Sequence, residues 1–335
     1  MSKKILVTGG AGFIGSHTVV ELAAAGYEIL LIDNFSNSEH WILDRIAKVC
    51  GNRIPFKHLD LRDANAISAC VSSYRPDSVI HFAALKSVGE SVQQPLAYYE
   101  NNLTGTLNLL QAMSNAGCNQ LVFSSSATVY GVPERCPITE DAPLDAVNPY
   151  GRTKLMMENV IRDVVTAQPD FQAAILRYFN PAGAHPSGEI GELPLGVPNN
   201  LVPFVAQVAA GLRPQVRIFG NDYPTPDGTG VRDYIHVCDV AKAHVAALAA
   251  LDDSGVRELT VNLGTGRGYS VLEIVHAFQT AAGLPIPYAF VERRPGDVAE
   301  CYADPTLSHR ALSWHAEHGL ERICEDAWRW QRGLR

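Results

Sequence analysis

The feature that most constrains the fold of this chain is a glycine-rich turn near its amino terminus. A short apolar run leads directly into Gly9, Gly12 and Gly15, and an amphipathic helical stretch follows. Glycine suits a strand that turns sharply into a helix, because a Cβ atom would keep the backbone away from a pyrophosphate docked at the helix amino terminus. The spacing differs from G-x-G-x-x-G, and an ordinary tight turn also uses such glycines. By itself the turn therefore predicts a βα unit.

An acidic residue at the end of the next apolar run favours a dinucleotide site. Asp33 closes the run Glu28–Ile32 and lies 18 positions after Gly15. An acid at this place accepts hydrogen bonds from the adenosine ribose and repels a 2′-phosphate. Together the two features predict a dinucleotide-binding unit that prefers NAD to NADP.

Further short apolar runs predict a parallel sheet with helices on both faces. They cover residues 29–32, 78–82, 121–123, 173–176 and 259–263, and amphipathic stretches separate most of them. This pattern is typical of an α/β fold with a Rossmann doubly wound parallel sheet. Because ligands bind beyond the carboxyl ends of such strands, we expect Asp60 near the adenine and Phe82–Lys86 along the cofactor.

Proline and glycine become frequent from Pro181 to Pro198 and from Gly220 to Gly230, which indicates a second domain. We predict an NAD-binding Rossmann domain over residues 1–180 and a smaller α/β substrate domain over residues 181–335. The segment 234–263 is expected to return to the first sheet.

Composition argues against several classes of partner. The chain has 27 Lys and Arg against 35 Asp and Glu, a net charge of −8, so nucleic acids and anionic membranes are not expected as partners. Its apolar stretches are too short to span a bilayer or to form the core of a signal peptide. The seven cysteines are scattered without a C-x-x-C pair, and the eleven histidines lack metal-ligand spacing. We therefore expect a cytoplasmic protein without a metal site.

A second chemical signal lies at the start of a later helix. Asn148 is a candidate N-cap, Pro149 suits the first helical position, and Tyr150 and Lys154 are four residues apart on one helix face. A phenol acts as a base near neutral pH only when its pKa is lowered, and a nearby ammonium and an oxidised nicotinamide ring would both lower it. A solvent-facing tyrosine would give the same spacing.

The run Gln120–Ser126 favours the catalytic interpretation of this pair. It reads as a strand whose three terminal serines, ending at Ser126, would reach the same edge of the sheet as the glycine turn.

With these residues in view, the chain resembles the extended short-chain dehydrogenase/reductases and, over nearly its full length, the hexose epimerases among them. The glycine turn, Tyr150 and Lys154 are shared by the whole superfamily, and the later blocks are more specific. The matching residues are 9–15, 33–34, 81–91, 124–131, 150, 154, 177–181, 183–188, 198–201 and 219–239.

The resemblance implies a set of cofactor and substrate contacts. Those to NAD are Gly9, Gly12, Phe13, Ile14, Gly15, Asp33, Asn34, Asp60, Leu61, Phe82, Ala83, Ala84, Lys86, Asn101, Ser124, Tyr150, Lys154, Tyr178 and Phe179. Those to a UDP-sugar are Lys86, Ser126, Tyr150, Asn180, Asn200, Leu201, Arg217, Phe219, Arg232, Arg294, Asp297 and Cys301. A surface salt bridge is the plain alternative for each arginine.

The resemblance also implies a mechanism, in which UDP-galactose and UDP-glucose interconvert through a 4-keto sugar. Tyr150 would take the proton of the 4-hydroxyl while tightly bound NAD takes the hydride from C4. Ser126 would hydrogen-bond the same oxygen and help relay the proton, and Lys154 would hold the nicotinamide ribose and lower the pKa of the phenol. The sugar then rotates, and the hydride returns to its opposite face.

Two alternatives remain from the sequence. A nucleotide-sugar 4,6-dehydratase begins with the same oxidation, but its relatives carry adjacent Asp and Glu after the strand-end hydroxyl, where this chain has Ala127 and Thr128. A catalytically silent NAD-binding regulator would reuse the fold, although Ser126, Tyr150 and Lys154 argue against it.

Two further expectations concern substrate range and assembly. Relatives place a residue of the sugar pocket shortly after an Arg-Arg-x-Gly-Asp block, and here that residue is Cys301. A small residue there predicts that UDP-GalNAc and UDP-GlcNAc are also substrates, unless Tyr302 fills the space. Relatives also dimerise through helices that correspond to residues 96–113 and 151–165, so a homodimer is expected. Burial of these helices inside one subunit is the alternative that the sequence leaves open.

Overall fold

The computed structural model describes residues 2–252, 256–294 and 296–334. Met1 and Arg335, at the outer bounds of the two predicted domains, lie outside the described residues. So do residues 253–255 of the predicted returning segment and Pro295 of the Arg-Arg-x-Gly-Asp block.

The strands of the structure divide between a large sheet and several small ones. They are β1 (Lys4–Thr8), β2 (Glu28–Asp33), β3 (Phe56–His58), β4 (Ser78–His81), β5 (Gln120–Ser126), β6 (Gln172–Tyr178), β7 (Asn180–Ala182), β8 (Val216–Phe219), β9 (Val231–Arg232), β10 (Tyr234–His236), β11 (Glu258–Leu263), β12 (Tyr269–Ser270), β13 (Tyr288–Val291) and β14 (Glu300–Cys301).

The helices alternate with these strands along the chain. They are α1 (Phe13–Ala24), α2 (Ile42–Cys50), α3 (Ala64–Tyr74), α4 (Val88–Gln93), α5 (Pro95–Tyr98), α6 (Gly105–Ala116), α7 (Pro149–Ala167), α8 (Leu201–Ala209), α9 (Val237–Asp252), α10 (Val271–Ala282), α11 (Thr306–Leu312) and α12 (Leu320–Gly333). A π-helical segment, Tyr99–Thr104, joins α5 to α6, and a 3₁₀ turn, Ala127–Tyr130, follows β5.

The large sheet confirms the predicted Rossmann class. Its order is β11-β6-β5-β4-β1-β2-β3, and every pairing in it is parallel. The order reverses at β1, which places the carboxyl ends of β1 and β4 at the switch point where open α/β sheets bind ligands. The seventh strand, β11, pairs with β6 in register from Glu258 opposite Ala173 to Leu263 opposite Tyr178.

Alternating side chains of the sheet build two cores. Ile5 and Val7 of β1 pack with Val19 of α1 on one face, whereas Leu6 packs with Leu109 of α6 on the other. Successive strand residues point to opposite faces, so a strand covered on both sides must be apolar at nearly every position. This requirement explains why the apolar runs marked the strands correctly.

The later part of the chain forms a smaller α/β region with its own core. Helices α8, α10 and α12 pack together around Val205, Phe278 and Ile323. Three small sheets, β10-β7, β12-β9-β14 and β13-β8, lie outside the large sheet. Among the helices that the structure describes, none has both the length and the apolar character required to cross a bilayer.

Three histidines are buried without charge, which predicts acid sensitivity of the fold. Burial lowers the pKa of His17 to about 3, of His81 to about 3 and of His244 to about 4, from an ordinary value of 6.5. Below pH 6.5 the unfolded chain binds protons that the native chain does not, so the free energy of unfolding falls as the pH drops from about 6.5 towards 4. In this range each histidine lowers the free energy of unfolding by about 1.4 kcal/mol for every pH unit, and the three together lower it by about 4 kcal/mol per pH unit.

Urea unfolding at pH 7.5, 6 and 5 measures this slope. His17→Leu is expected to reduce it by about a third, whereas His276→Gln, at an exposed histidine of α10, should leave it unchanged. Equal free energies of unfolding at pH 7.5 and pH 5 would contradict the assignment of buried, neutral imidazoles.

Candidate functional site

The glycine turn forms a tight cradle at the switch point of the sheet. Gly9 has φ +66°, and a Cβ atom on it would lie 2.7 Å from the backbone nitrogen of Ala83. A Cβ atom on Gly15 would lie 2.3 Å from the carbonyl oxygen of Gly9. The N-cap of α1 is Gly12, which has no side chain to cap the first N–H groups. The turn thus leaves backbone donors exposed at a helix amino terminus, as a pyrophosphate requires.

The predicted ribose and adenine contacts lie together after β2 and β3. The carboxylate of Asp33 is buried and accepts hydrogen bonds from the backbone N–H of Ala11 at 3.0 Å and of Phe35 at 2.8 Å. Burial raises the pKa of Asp33, and these hydrogen bonds oppose the increase. The side chain of Asn34 donates to Asp60 at 3.0 Å. Hydrogen bonds from Arg62 hold the pKa of Asp60 well below its usual range.

The other predicted cofactor contacts border the same edge. Phe82, Ala83, Ala84 and Lys86 follow β4, Leu61 follows β3, and Asn101 lies in the π-helical segment. Phe13 and Ile14 begin α1, Ser124 lies in β5, Tyr178 ends β6 and Phe179 follows it. The Lys86 ammonium lies 5.8 Å from the ring centroid of Phe13.

The predicted catalytic residues meet where β5 ends and α7 begins. Asn148 caps α7 by accepting from the backbone N–H of Gly151 at 2.9 Å, as predicted, and Pro149 is the first helical residue. Lys154 is buried and donates to the carbonyl oxygen of Ser124 at 2.6 Å. Ser126 is the last residue of β5 and is hydrogen-bonded to Tyr150.

The pKa values of Tyr150 and Lys154 differ in part from what the sequence predicts. Burial raises the pKa of Tyr150, and the hydrogen bond with Ser126 opposes the increase. Burial also lowers the pKa of Lys154 to about 7, against the attraction of Glu158. Lys154 was expected to lower the pKa of the Tyr150 phenol. In the protein without a bound cofactor the effect of burial is larger, because desolvation disfavours both the phenolate and the ammonium.

A buried hydrogen-bond network holds the end of β5, the strand that carries Ser124, Ser125 and Ser126. The guanidinium of Arg177 donates to both carboxylate oxygens of Glu158, at 3.0 and 2.6 Å, and also to the hydroxyl of Tyr130 at 2.9 Å. Ser125 donates to the same carboxylate, and Tyr130 donates to the side-chain oxygen of Asn262 in β11 at 2.7 Å. The network ties β5, β6, α7, the 3₁₀ turn and β11 together around one buried ion pair.

The predicted substrate residues that follow residue 180 fall into three clusters, of which two contain arginines. Arg294 lies 3.9 Å from the ring centroid of Phe219, and Arg217 lies 5.7 Å from it. Arg232 donates to Asp297 at 3.2 Å and pairs in register with Cys301 of β14. An open cavity of about 560 Å³ borders Asp297 beside the second cluster.

A third cluster includes a residue that the sequence analysis did not select. One carboxylate oxygen of Glu192 accepts from the ammonium of Lys86 at 3.0 Å and from the amide of Asn200 at 2.6 Å. Asn200 also precedes α8, which begins at Leu201, and Asn180 opens β7. Glu192 is 106 positions from Lys86, so a pattern within one segment could not reveal this pairing.

One group of side chains in the described residues has metal-ligand proximity. Ligand atoms of Asp239, Glu317 and His318 lie within 4.8 Å of one another. The carboxylate of Asp239 already accepts from the backbone N–H groups of Glu317 and His318 and from Nδ1 of His318, so these hydrogen bonds satisfy it without an ion.

Comparisons with known proteins agree with this geometry. The model of the NAD dependent epimerase/dehydratase family matches residues 5–264. The UDP-glucose 4-epimerase of Bacillus subtilis is 58% identical over 327 residues, which cover 98% of this chain and 96% of that protein. A UDP-glucose 4-epimerase from Arabidopsis thaliana is 54% identical and covers 98% of this chain and 95% of its own.

Solved structures give the same result. A UDP-glucose 4-epimerase from Stenotrophomonas maltophila, crystallised with NAD and formylated UDP-arabinopyranose, has a TM-score of 0.97 and 51% identity and covers 99% of this chain and 98% of its own. One from Bifidobacterium longum, in complex with NAD+ and UDP, has a TM-score of 0.95 and 48% identity, with coverages of 99% and 98%. The resemblance that the sequence analysis stated is confirmed: this chain belongs to the NAD dependent epimerase/dehydratase family.

Proposed function

We propose that this protein interconverts UDP-galactose and UDP-glucose by epimerisation at C4, with NAD held between turnovers. The observation that carries the proposal is the meeting of Tyr150, Ser126 and Lys154 at the same sheet edge as the glycine turn. Likeness to UDP-glucose 4-epimerases over 98% of the chain supports the choice of reaction within the family.

The described residues fit NAD on two counts. A Cβ atom on Gly9 or Gly15 would fill the cradle at the start of α1, where the pyrophosphate would bind. The carboxylate of Asp33 at the end of β2 suits the ribose hydroxyls and disfavours a 2′-phosphate. We also assign the remaining predicted cofactor residues to NAD. When bound, NAD supplies the acceptor and donor of the C4 hydride.

The chain's own residues then manage the proton and the orientation of the sugar. Tyr150 removes the proton from the 4-hydroxyl and returns it, and Ser126 hydrogen-bonds to the phenol of Tyr150. Lys154, fixed by the carbonyl of Ser124, favours the phenolate when its ammonium is charged. Ala127 and Thr128 stand where dehydratases carry an acid and a base, so elimination of water has no carboxylates to perform it.

The uridine diphosphate is held by the clusters of the second region. Arg217, Phe219 and Arg294 form one side, and Arg232 and Asp297 form the other. Lys86 and Asn200 are held together by Glu192. Asn180 and Leu201 complete this set. Its arginines and Lys86 are the cations with which an otherwise acidic chain would bind the diphosphate.

Proton NMR of UDP-galactose with purified protein and no added cofactor tests the proposal. Appearance of the UDP-glucose anomeric signal, without net NADH, is the expected result. No conversion even after addition of NAD would refute epimerisation of this substrate. A new product signal other than UDP-glucose would instead indicate the dehydratase alternative.

The sugar pocket is proposed to admit N-acetylated sugars because of Cys301. This residue is partly buried and packs with Cys136 and Phe179 in a small cluster. Cys301→Tyr adds a bulky ring at the pocket and is expected to reduce kcat/KM for UDP-GalNAc at least tenfold, with at most a threefold change for UDP-galactose. Cys324→Ala, at a buried thiol of α12, is the matched control and should alter the two substrates equally. Unchanged N-acetylated turnover in Cys301→Tyr would refute the gate.

We also propose a homodimer through the helices that cover residues 96–113 and 151–165. Large apolar side chains in these ranges are exposed, with Leu96 81%, Leu107 45% and Met156 42% accessible. The proposed cytoplasmic location is supported by the seven free cysteines, which fit a reducing compartment.

We also propose that the two domains divide at residue 180, shortly after β6 ends at Tyr178.

A further inference from the structure

Ser126 accepts two hydrogen bonds from one residue, Thr128. The backbone N–H of Thr128 donates to the Ser126 oxygen at 3.2 Å, and the hydroxyl of Thr128 donates to the same oxygen at 3.0 Å. Both contacts come from the 3₁₀ turn that follows β5. Ser126 is buried, so water does not readily replace either partner.

The chemistry of a hydroxyl limits what Ser126 can still do. A serine hydroxyl has one proton to donate and two lone pairs with which to accept. Thr128 occupies both lone pairs, so the remaining capacity of Ser126 is its proton. A relay needs more than this, because it must accept the sugar proton while it donates its own.

The proton of Ser126 has an acceptor within reach. Ser126 is hydrogen-bonded to Tyr150, and this bond lowers the pKa of the phenol against the effect of burial. Because both lone pairs of the Ser126 oxygen accept from Thr128, Ser126 can contribute only its proton to this contact. Ser126 is therefore the donor and the oxygen of Tyr150 is the acceptor.

The turn that carries Thr128 is held against the helix that carries Tyr150. A Cβ atom on Gly151 would lie 2.9 Å from the carbonyl oxygen of Thr128, so the two backbones are in direct contact. Val129, the next residue of the turn, is fully buried. The relative position of Thr128, Ser126 and Tyr150 is thus fixed by the backbone.

From this geometry we infer that Thr128 is a positioning residue that commits the Ser126 hydroxyl to donate to the oxygen of Tyr150. The inference rests on the proposed function. The sugar proton then passes directly to Tyr150: the O–H bond of the 4-hydroxyl breaks and the O–H bond of the phenol forms. NAD, held at the glycine turn, would supply the acceptor for the hydride from C4. The proton of Ser126 stays on its own oxygen throughout.

A purely structural role for Thr128 predicts different behaviour. An N–H or hydroxyl bonded to the serine before a 3₁₀ turn stabilises the turn whether or not Tyr150 is a base. Thr128→Val separates the two roles, because it removes the hydroxyl and keeps both the shape and the backbone N–H. Thr128→Ser restores the hydroxyl without the methyl group.

Steady-state kinetics with UDP-galactose form the first part of the test. Thr128→Val is expected to lower kcat about tenfold with KM within twofold of the native protein, and Thr128→Ser to recover most of the loss. The combined variant Ser126→Ala with Thr128→Val should be no slower than Ser126→Ala alone, because Thr128 acts through Ser126. Independent, multiplying losses would overturn the inference, as would a Thr128→Ser variant as slow as Thr128→Val.

The titration of Tyr150 forms the second part and needs no turnover. The groups around Tyr150 that titrate are Lys154 on its own helix and Tyr178 on β6, and none of the substitutions changes them. Ultraviolet difference titration against a Tyr150→Phe blank should show phenolate forming at higher pH in Thr128→Val, and the acid limb of kcat should move upward with it. An unmoved titration would overturn the inference. If the native protein makes no UDP-glucose, the proposed function fails, while this titration still reports on Thr128.

Discussion

Replacement of Tyr150 by phenylalanine is expected to lower kcat for UDP-galactose by a factor of about 10² to 10⁴, with little change in KM. A positioned general base contributes a factor of this size, because it removes a proton that water would remove slowly. Tyr150 is partly exposed beside the buried Ser126, where a substrate hydroxyl can reach both. The ring itself remains in the variant, so packing and sugar binding should be retained.

Initial rates from proton NMR, together with thermal unfolding, check this expectation. Tyr74→Phe is the matched control, because that hydroxyl lies at the end of α3 and donates to the carbonyl oxygen of Glu28, away from the site. A Tyr150→Phe protein that keeps kcat within about threefold of the native value would show that the phenol is not the base. Loss of activity in both variants would point to instability instead.

Gly15→Ala is expected to abolish retention of NAD. The added methyl group would lie 2.3 Å from the carbonyl oxygen of Gly9 and 2.9 Å from the Cα of Gly10, and both are backbone atoms that cannot rotate away. The turn must therefore open, and the N–H groups that it aims at a pyrophosphate move apart. Because these N–H groups are the ones that bind a pyrophosphate, the opened turn is expected to release the cofactor.

Cofactor released from the denatured protein, measured per chain, is the direct readout. Gly89→Ala is the matched control, since nothing lies within 4 Å of a Cβ atom there and the residue is in a helix. We expect the control to retain as much NAD as the native protein, and Gly15→Ala to retain almost none while added NAD fails to restore turnover. Native-level retention in Gly15→Ala would mean that the pyrophosphate is bound elsewhere.

Local patterns predicted the fold and the start of the site well, because those features depend on neighbouring residues. Buried parallel strands must be apolar at nearly every position, and Asn148 caps α7 through a contact three residues away. The charge partners of the site were not predictable in this way. Glu192 reaches Lys86 across 106 positions, and the pKa of Tyr150 depends on a burial that no spacing reveals.

Thr128 illustrates a third case. Its contact with Ser126 is local, and the sequence analysis noted the residue for what it lacks, a carboxylate. The Thr128 hydroxyl reaches Ser126 because Ser126 caps the 3₁₀ turn that contains Thr128, and contact with α7 fixes that turn. This hydrogen bond therefore depends on tertiary structure, which the spacing of the two residues does not reveal.

The buried network beneath the serine strand has a consequence for synthesis of the chain. Arg177 and Tyr130 are completed by Asn262, whose amide donates to the carbonyl oxygen of Ile138 at 2.9 Å and whose backbone N–H donates to Glu140 at 2.7 Å. A nascent chain that has emerged through residue 200 already contains every proposed catalytic side chain, yet the turn behind Ser126 still lacks this partner. Tyr130 therefore gains this partner only after β11, the last strand of the large sheet to be translated, has joined the sheet.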